Sequence, residues 1–316
     1  MTKTCSGLFQ GMDCTIIGNG NEEVAGLAFR SDEVAPGDMF FCIVGTVVDG
    51  HSFAQDAIDR GATSLVAERK VYLADATDVT EVVVSDSRKA MAYASANYYD
   101  NPSRAFSLVG ITGTNGKTTT TYLVEHIASV AGNRCGVIGT VGNKIAGVME
   151  HAERTTPESP DLQKLFARMR DAGCTVVAME VSSHALDLRR TWDTDFAVTA
   201  FTNLTQDHLD YHHTMEEYRR AKGLLFAQCR RSVVNLDDEA GRWYAGHISG
   251  PVFTYSENRA QADLTARNIR LFPGHVEFEA LTLGRLARVH LPIPGGFSIY
   301  NALAALAVGK VLGLPD

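Results

Sequence analysis

Residues 106–121, with the sequence FSLVGITGTNGKTTTT, constrain the fold of this chain more than any other stretch. The segment begins with an apolar run typical of a buried strand, turns at Gly113 and Gly116, and continues with helical spacing. Backbone N–H groups in such a turn, together with the N-terminus of the following helix, attract an anion. Lys117 would supply a mobile charge for β- and γ-phosphates, and the Thr118 hydroxyl is placed to bind Mg²⁺. The sequence therefore predicts a phosphate-binding loop.

This loop departs by one residue from the common pattern G-x-x-x-x-G-K-[ST], because Ile111 stands where the first glycine belongs. An ordinary glycine-rich turn between a strand and a helix is the alternative interpretation. We favour nucleotide binding because the strand, the turn, the Lys-Thr pair and the helix coincide in one segment.

The composition restricts the class of protein. The 316 residues suffice for two domains, and a formal net charge of −8 offers no basic stripe for a nucleic acid. The six cysteines form no C-x-x-C pair, which argues against a zinc or disulfide framework and favours a reducing compartment. No signal-peptide pattern or apolar run of membrane-spanning length is visible. We expect a cytoplasmic protein without nucleic acid partners or membrane insertion.

The alternation of strand and helix patterns predicts an α/β fold. A polar, proline-containing break at residues 101–104 marks the best boundary between domains. We expect an N-terminal α/β domain at residues 1–103 and a P-loop-type domain with a mostly parallel sheet at residues 104–316. Three β-rich runs between residues 264 and 291 predict a small antiparallel appendage.

Polar residues follow two of the predicted strands, at the edge where ligands of doubly wound sheets lie. Glu180 ends one strand and would share Mg²⁺ with Thr118, although a capping or salt-bridging role is the alternative. His208 follows the next strand and could bind a metal or a catalytic water. His212 lies four residues further on, but no H-E-x-x-H pattern supports zinc. We interpret His212 and His213 as solvated loop histidines.

Four other turns leave their function open. Residues 30–32 and 45–50 could bind a ligand, although turns of this composition are mostly only turns. Residues 154–157, Arg-Thr-Thr-Pro, could hold a carboxylate or a sugar phosphate, or cap the next helix. Residues 235–238 could reach the ribose or base of a nucleotide.

Five motifs in order resemble those of the Mur ligase family: GTNGKTT at 113–119, TTP at 155–157, MEVSSHAL at 179–186, TNLTQDHLDYH at 202–212 and YRRAKGLLF at 218–226. The resemblance covers the whole chain, and the shortened loop of that family accounts for the missing glycine. It implies a UDP-binding domain, a central ATPase domain and a C-terminal domain for an incoming amino acid. Because the chain stops after the helix that would close the second domain, we expect the third to be absent and the isolated chain to be inactive.

The resemblance implies an ATP-dependent carboxylate–amine ligase of peptidoglycan precursor synthesis. Such an enzyme adds a diamino acid to UDP-N-acetylmuramoyl-L-alanyl-D-glutamate, here called the UDP-sugar dipeptide, through an acyl phosphate. Meso-diaminopimelate is the default amino acid and L-lysine the alternative, since specificity would reside in the third domain. A folylpolyglutamate synthetase-like ligase is the runner-up, and a nucleotide and UDP-sugar binding module without turnover is a further alternative. We expect a monomer.

The resemblance also implies roles for individual residues. ATP would be bound by Gly113, Thr114, Asn115, Gly116, Lys117, Thr118 and Thr119, with Asn301 near the nucleotide. The UDP-sugar dipeptide would contact Ser31, Thr155, Thr156, Ser182 and Arg190. The catalytic residues would be Lys117, Glu180, His208 and Lys222. Thr46, Val47 and Val48 depart from the His-Gln-Ala often found in the family's uracil-side loop, and Leu188 stands where some members carry Gln.

Two Mg²⁺ ions are implied, one on Thr118 and Glu180 and the other on His208 and Lys222, with Lys222 present as its carbamate. From its context alone, Lys222 would be an ordinary helical lysine with its head in water. A lysine desolvated beside a metal is instead pushed toward its neutral form, and only the neutral amine reacts with CO₂. The resemblance favours the carbamate.

Overall fold

A computed structural model of the chain describes residues 3–45, 48–71 and 78–315. The chain divides into two compact units. The first unit comprises Met1–Asn101, Glu158–Lys164 and Leu188–Asp193, and the second comprises Pro102–Pro157, Leu165–Asp187 and Thr194–Asp316.

The first unit is built on a five-stranded sheet, as far as its described residues show. The strands are β1 (Thr15–Ile17), β2 (Gly26–Ala28), β3 (Asp38–Phe41), β4 (Ser64–Ala67) and β5 (Thr80–Val83). The helices are α1 (Cys5–Leu8), α2 (Ala54–Asp59) and α3 (Ser87–Tyr98). The strand order is β1-β5-β4-β3-β2, with β1 antiparallel to β5 and the other neighbours parallel. Strands β3 and β4 are buried along their whole length, as parallel strands covered on both faces are.

The rest of the chain contributes eleven strands and seven helices to the described structure. The strands are β6 (Ser107–Thr112), β7 (Cys135–Gly139), β8 (Gly142–Ile145), β9 (Val148–Glu150), β10 (Val176–Glu180), β11 (Val198–Phe201), β12 (Ser232–Asn235), β13 (Val252–Ser256), β14 (Leu264–Leu271), β15 (Val276–Thr282) and β16 (Arg285–Leu291). The helices are α4 (Lys117–Val130), α5 (Ser159–Asp171), α6 (Ser183–Asp187), α7 (Leu209–His212), α8 (Met215–Gly223), α9 (Glu239–His247) and α10 (Phe297–Leu312). The sheet order is β16-β15-β14-β13-β12-β11-β6-β10-β7-β8-β9.

Strand β6 lies inside this large sheet, between β10 and β11, and pairs in parallel with both. Its Gly110 lets the ring of Phe196 pack directly against the backbone, where a Cβ would lie 2.7 Å from a ring carbon. The register pairs Glu180 with Ile111 and Phe201 with Thr112. The carboxyl ends of β6, β10 and β11 therefore meet at one edge of the sheet.

The predicted antiparallel appendage is confirmed, and it is continuous with the main sheet. Strands β14, β15 and β16 pair antiparallel with one another, while β14 also pairs in parallel with β13. A second antiparallel extension, formed by β8 and β9 beside β7, has no counterpart in the sequence prediction. The predicted α/β class with a mostly parallel sheet is confirmed.

Helix α10 is the most apolar helix of the second unit, and most of its residues are buried. Its alanines and leucines pack with α4 and strands of the sheet in one continuous core. Among the residues that the structure describes, no helix has both the length and the apolar character needed to cross a membrane.

Two glycines of the second unit should respond oppositely to the same substitution. Gly110→Ala places a methyl group against the buried Phe196 ring and should lower the free energy of unfolding by about 1–3 kcal/mol. In Gly246→Ala, in α9, the added methyl group has no neighbour within 4 Å. This variant should raise the free energy of unfolding by about 0.5–1 kcal/mol, because alanine favours the helix. Urea denaturation of both variants checks this pair. Equal stability of the Gly110→Ala variant and the wild-type protein would contradict the packing described for β6.

Candidate functional site

The predicted phosphate-binding loop, residues 113–119, comprises the turn between β6 and α4 and the first residues of α4, at the carboxyl edge of the sheet. Gly113 and Gly116 have φ values of +147° and +84°, a region that strains other residues. A Cβ on Gly113 would lie 1.9 Å from Thr202 Oγ1, and one on Gly116 would lie 2.2 Å from Asn301 Oδ1. Both glycines are therefore required by close packing as well as by backbone conformation.

The start of the loop is held by the segment that follows β11. The backbone carbonyl of Asn203 accepts a hydrogen bond from the Thr114 N–H at 2.8 Å. Its side-chain Oδ1 accepts a second one from the Asn115 N–H at 2.9 Å. Thr202 Oγ1 donates to the Asn115 carbonyl at 2.6 Å. These two loop N–H groups are already bonded, so the first turn of α4 supplies the donors that an anion would meet.

Lys117 begins α4 and folds back over the loop. Its Nζ donates to the carbonyl oxygens of Gly113 and Thr114, both at 2.9 Å. Burial lowers the pKa of Lys117, although the carboxylates of Glu180 and Asp207 act in the opposite direction. A partly buried ammonium whose hydrogen bonds go to neutral carbonyls favours the approach of an anion.

Glu180 and Thr118 come together because β6 and β10 are parallel neighbours. The Glu180 carboxylate is buried, accepts from Thr118 Oγ1 at 2.9 Å, and accepts from the Thr140 backbone N–H at 2.9 Å. A hydroxyl and a carboxylate are hard oxygen donors of the kind that Mg²⁺ prefers. The two residues present here thus fit a Mg²⁺ ion beside a bound phosphate.

Lys222 lies on α8 with only 1% of its surface exposed, so the interpretation of a solvated lysine head is wrong. Its Nζ donates to the Gly113 carbonyl at 2.9 Å and lies 4.5 Å from the centre of the Tyr218 ring. Burial lowers the pKa of Lys222 well below its ordinary value, and the neighbouring charge of Lys117 lowers it further. Both effects favour the neutral amine more than in an exposed lysine.

His208 directly precedes helix α7 and His212 ends it, and the two residues differ in environment. His208 has a positive φ of +53°, its side chain is about half exposed, and its Nε2 lies 3.4 Å from Asp207 Oδ2. His212 is buried, so its interpretation as a solvated histidine is wrong: its Nε2 lies 2.8 Å from Ser183 Oγ. Burial lowers the pKa of His212. Because Ser183 occupies Nε2 of His212, the structure gives no support to a zinc pair with His208.

Tyr218 links these groups to the loop. Its ring stacks on His212 with centroids 5.0 Å apart and lies 6.2 Å from the His208 ring. Its hydroxyl lies 3.3 Å from Thr114 Oγ1. Lys222 and His208 thus contact the same aromatic ring. The sequence prediction did not include Tyr218, although its position in the YRRAK run four residues before Lys222 places both on one helix face.

A cavity of about 650 Å³ opens beside the loop. It is lined by Asn115, Gly116, Thr119, Asn203, Asn235, Asp237, Asp238, Phe297, Tyr300 and Asn301. The three polar side chains at residues 235–238 have partners within the protein: Asn235 contacts Thr202 O, Asp237 contacts Ser256, and Asp238 accepts from Leu204 N. These hydrogen bonds hold the three side chains in place along the wall of the cavity.

The residues expected to hold the UDP-sugar dipeptide fall in both units. In the second unit, Thr155 Oγ1 lies 2.9 Å from Thr140 Oγ1, and Thr156 Oγ1 donates to the Glu180 carbonyl at 2.9 Å. Ser182 Oγ accepts from the Ala185 N–H at 3.2 Å. The Thr156 hydroxyl is thus engaged in fixing the end of β10.

In the first unit, Arg190 is buried and forms an ion pair with Glu158 at 2.8 Å. Ser31 lines a cavity of about 520 Å³, together with residues that include Arg30, Arg88, Val48 and Glu158. Leu188 is half-buried. Thr46 and Val47 lie outside the described residues.

Comparison with known proteins agrees with these features. The model of the Mur ligase middle domain matches residues 111–309, and that of the Mur ligase family catalytic domain matches residues 23–111. UDP-N-acetylmuramoyl-L-alanyl-D-glutamate–2,6-diaminopimelate ligases of Geobacillus thermodenitrificans and Geobacillus kaustophilus are 46% and 47% identical over 297 residues. Each match covers 91% of this chain and 60% of the relative, so the chain spans about 60% of the length of these relatives.

A solved structure of a UDP-N-acetylmuramoyl-L-alanyl-D-glutamate–2,6-diaminopimelate ligase superimposes with a TM-score of 0.87 at 25% identity. The match covers 100% of this chain and 65% of that chain. MurF from Acinetobacter baumannii, 20% identical, shares the fold with a TM-score of 0.71 over 99% of this chain and 66% of its own. The chain therefore belongs to the Mur ligase family.

Proposed function

We propose that the chain serves the ATP-dependent ligation of a diamino acid to the UDP-sugar dipeptide. The observation that carries the proposal is the convergence of Lys117, Thr118 and Glu180 at the N-terminus of α4. The relatives that are 46% and 47% identical are named for the addition of 2,6-diaminopimelate, and we propose the same amino acid here. A folylpolyglutamate synthetase-like activity has no comparable support.

The nucleotide would bind across the loop. Its phosphates would meet the N-terminus of α4, and its base and ribose would enter the adjoining cavity of about 650 Å³. Phe297 and Tyr300 provide aromatic surface for a base, and Asn301 lies against Gly116 at the cavity mouth. Lys117 would exchange the Gly113 and Thr114 carbonyls for phosphate oxygens.

The reaction would take place in two steps. A carboxylate oxygen of the dipeptide attacks the γ-phosphorus of ATP, and the bond to the β,γ-bridging oxygen breaks to release ADP. The amine of the diamino acid then attacks the acyl carbon of the acyl phosphate, loses a proton and expels inorganic phosphate. Phosphorylation is needed because a free carboxylate is a poor electrophile. Lys117 would stabilise the charge that moves onto the β-phosphate as ADP leaves.

Thr118 and Glu180 would hold one Mg²⁺, and His208 with a carbamate on Lys222 would hold a second. Bound Mg²⁺ would neutralise phosphate oxygens as two anions are brought together. The carbamate would form when neutral Lys222 Nζ attacks the carbon of CO₂ and releases a proton. Its burial and lowered pKa support this step, because they favour the reactive neutral amine.

The UDP-sugar end of the dipeptide would bind in the first unit, in the cavity lined by Ser31, Arg30 and Arg88. Arginines in a partly enclosed cavity suit a diphosphate. We further propose a cytoplasmic location, since all six cysteines of the chain are free thiols, as a reducing compartment favours. The expectation of a monomer stays a prediction. A nucleotide and UDP-sugar binding module without turnover is the alternative, and release of ADP on addition of both substrates distinguishes the two.

Lys117→Ala should weaken the binding of Mg·ATP by roughly 30-fold or more. The reason is that the loss of a buried charge–phosphate contact costs about 2–5 kcal/mol. Isothermal titration calorimetry measures the effect without requiring turnover. Lys144→Ala is the matched control, because Lys144 pairs with Glu125 at 2.9 Å and should not affect the affinity. Equal affinities of a folded Lys117→Ala protein and the wild type would remove the assignment of the loop.

Lys222→Met should stabilise the protein at pH 7 by about 1–4 kcal/mol, since it replaces a buried ionisable group by an apolar one of similar length. The folded-state pKa of Lys222 lies below the unfolded value, so the unfolded state binds more protons at neutral pH. The stability of the wild type should therefore rise toward that of the variant as the pH approaches the unfolded pKa. Urea denaturation at several pH values tests this, and a variant less stable than the wild type throughout would contradict it.

The carbamate itself should be visible by ¹³C NMR. With ¹³C-bicarbonate, Mg²⁺ and ADP present, the wild-type protein should show a carbamate resonance that the Lys222→Met variant lacks. Lys144→Met controls for reaction at other amines. A spectrum identical for the wild type and the Lys222→Met variant would overturn the assignment of the carbamate to Lys222.

A further inference from the structure

Three potential metal ligands meet on the antiparallel appendage, on elements that the proposed ligation does not use. They are His275, Glu277 and His290, and their ligand atoms all lie within 4.8 Å of one another. Glu277 Oε1 lies 3.6 Å from His275 Nε2 and 3.4 Å from His290 Nδ1. The two imidazole centroids are 4.6 Å apart.

The backbone fixes this arrangement. Glu277 on β15 and His290 on β16 are directly paired in the antiparallel register, so their side chains share one face of the sheet. His275 directly precedes β15, and its Nε2 lies 3.6 Å from Glu277 Oε1, so its ring reaches the same face. The turn between β14 and β15 is closed by a 3.0 Å hydrogen bond from Phe272 N to His275 O. The His275 ring also stacks on Phe272, with centroids 4.3 Å apart.

Two of the three ligand separations approach those around a tetrahedral ion. With bonds of about 2.0–2.1 Å to Zn²⁺, two tetrahedral ligands lie about 3.3–3.5 Å apart, close to the two measured N···O distances. Two imidazoles and one carboxylate, with a fourth position open to water, form a common donor set for zinc. We propose that His275, Glu277 and His290 bind one Zn²⁺ ion, which cross-links the β15–β16 hairpin to the β14–β15 turn.

Two features oppose the ion and set its affinity. Glu277 pairs with both imidazoles when these are protonated, so Zn²⁺ must displace protons from them. Arg270 on β14 is paired in register with Glu277, which brings a positive charge to the same face. The donor set nevertheless favours zinc over Mg²⁺, since Mg²⁺ prefers oxygen ligands and binds imidazole poorly. Removal of Arg270 should strengthen zinc binding.

The test uses the chelator-treated chain titrated with Zn²⁺ by calorimetry, with excess Mg²⁺ and ADP present to occupy the loop. The wild type should bind one equivalent, and its melting temperature should rise with Zn²⁺. His290→Gln and Glu277→Gln should each weaken binding by at least tenfold, since even the loss of an outer-shell partner costs about 10–100-fold. Arg270→Gln should bind more tightly. His247→Ala, which removes an exposed histidine of α9, is the matched control and should bind as the wild type does.

The variants at His290, Glu277 and Arg270 change side chains on one sheet face, and His247→Ala changes one on α9. Circular dichroism verifies that each variant is folded. Loss of the one bound equivalent of Zn²⁺ in His290→Gln and Glu277→Gln, with retention of that equivalent in His247→Ala, would establish the site. No stoichiometric Zn²⁺ binding by the wild type would overturn the proposal, as would binding that both variants retain. Neither result bears on the proposed ligation, which is tested by nucleotide binding at Lys117.

Discussion

The Gly113 carbonyl is the point on which the functional edge of the large sheet depends, because two lysines donate to it. Lys117 and Lys222 come from helices on different parts of the chain, and each places its Nζ 2.9 Å from this one oxygen. The carbonyl is neutral, so it cannot compensate a positive charge on either lysine. The pKa values of both lysines are lowered, that of Lys222 more strongly, since the charge of Lys117 adds to its burial. The carboxylates of Glu180 and Asp207 act on Lys117, and that of Asp207 acts on Lys222, but burial outweighs them and leaves a positive charge on either lysine incompletely compensated.

Binding of a polyphosphate and modification of Lys222 would relieve this imbalance in complementary ways. A polyphosphate would accept hydrogen bonds from Lys117, and a carbamate would convert the Lys222 amine into an anion. The Glu180 carboxylate accepts hydrogen bonds from Thr118 and Thr140. The Tyr218 hydroxyl contacts that of Thr114, and the Tyr218 ring contacts the Lys222 amine. The arrangement is costly to stability, as sites built for catalysis commonly are. Burial of Lys222 is hard to explain by stability alone.

Much of this architecture could be predicted from local sequence. The apolar run, the two glycines and the Lys-Thr pair locate the loop because each residue type meets a local requirement of backbone conformation or charge. The sequence pattern does not predict helix α9, because its sequence, EAGRWYAGH, contains two glycines. The helix is stabilised by the Asp238 carboxylate, which accepts a hydrogen bond from Gly241 N at 3.1 Å, and by the burial of Tyr244. The short β8 and β9 strands have too few residues for a recognisable alternation.

Tertiary environment decided the remaining differences. Local sequence does not show that His212 is buried against the Ser183 hydroxyl. Nor does it show that Lys222 donates to the Gly113 carbonyl, which lies more than a hundred residues away in the chain. The sequence pattern predicts a helix over residues 218–229, whereas helix α8 begins at Met215, since Thr214 accepts from Glu217 N. The pairing of Glu277 with His290 likewise follows from the strand register, which the sequence pattern alone leaves open.

The most direct measurement of the central claim is a crystal structure of the chain with ADP and Mg²⁺. The account predicts the β-phosphate at the N-terminus of α4, Lys117 Nζ moved from the Gly113 carbonyl onto phosphate oxygen, and the base in the cavity beside Asn301 and Tyr300. A nucleotide bound elsewhere, with Lys117 still on the Gly113 and Thr114 carbonyls, would contradict it.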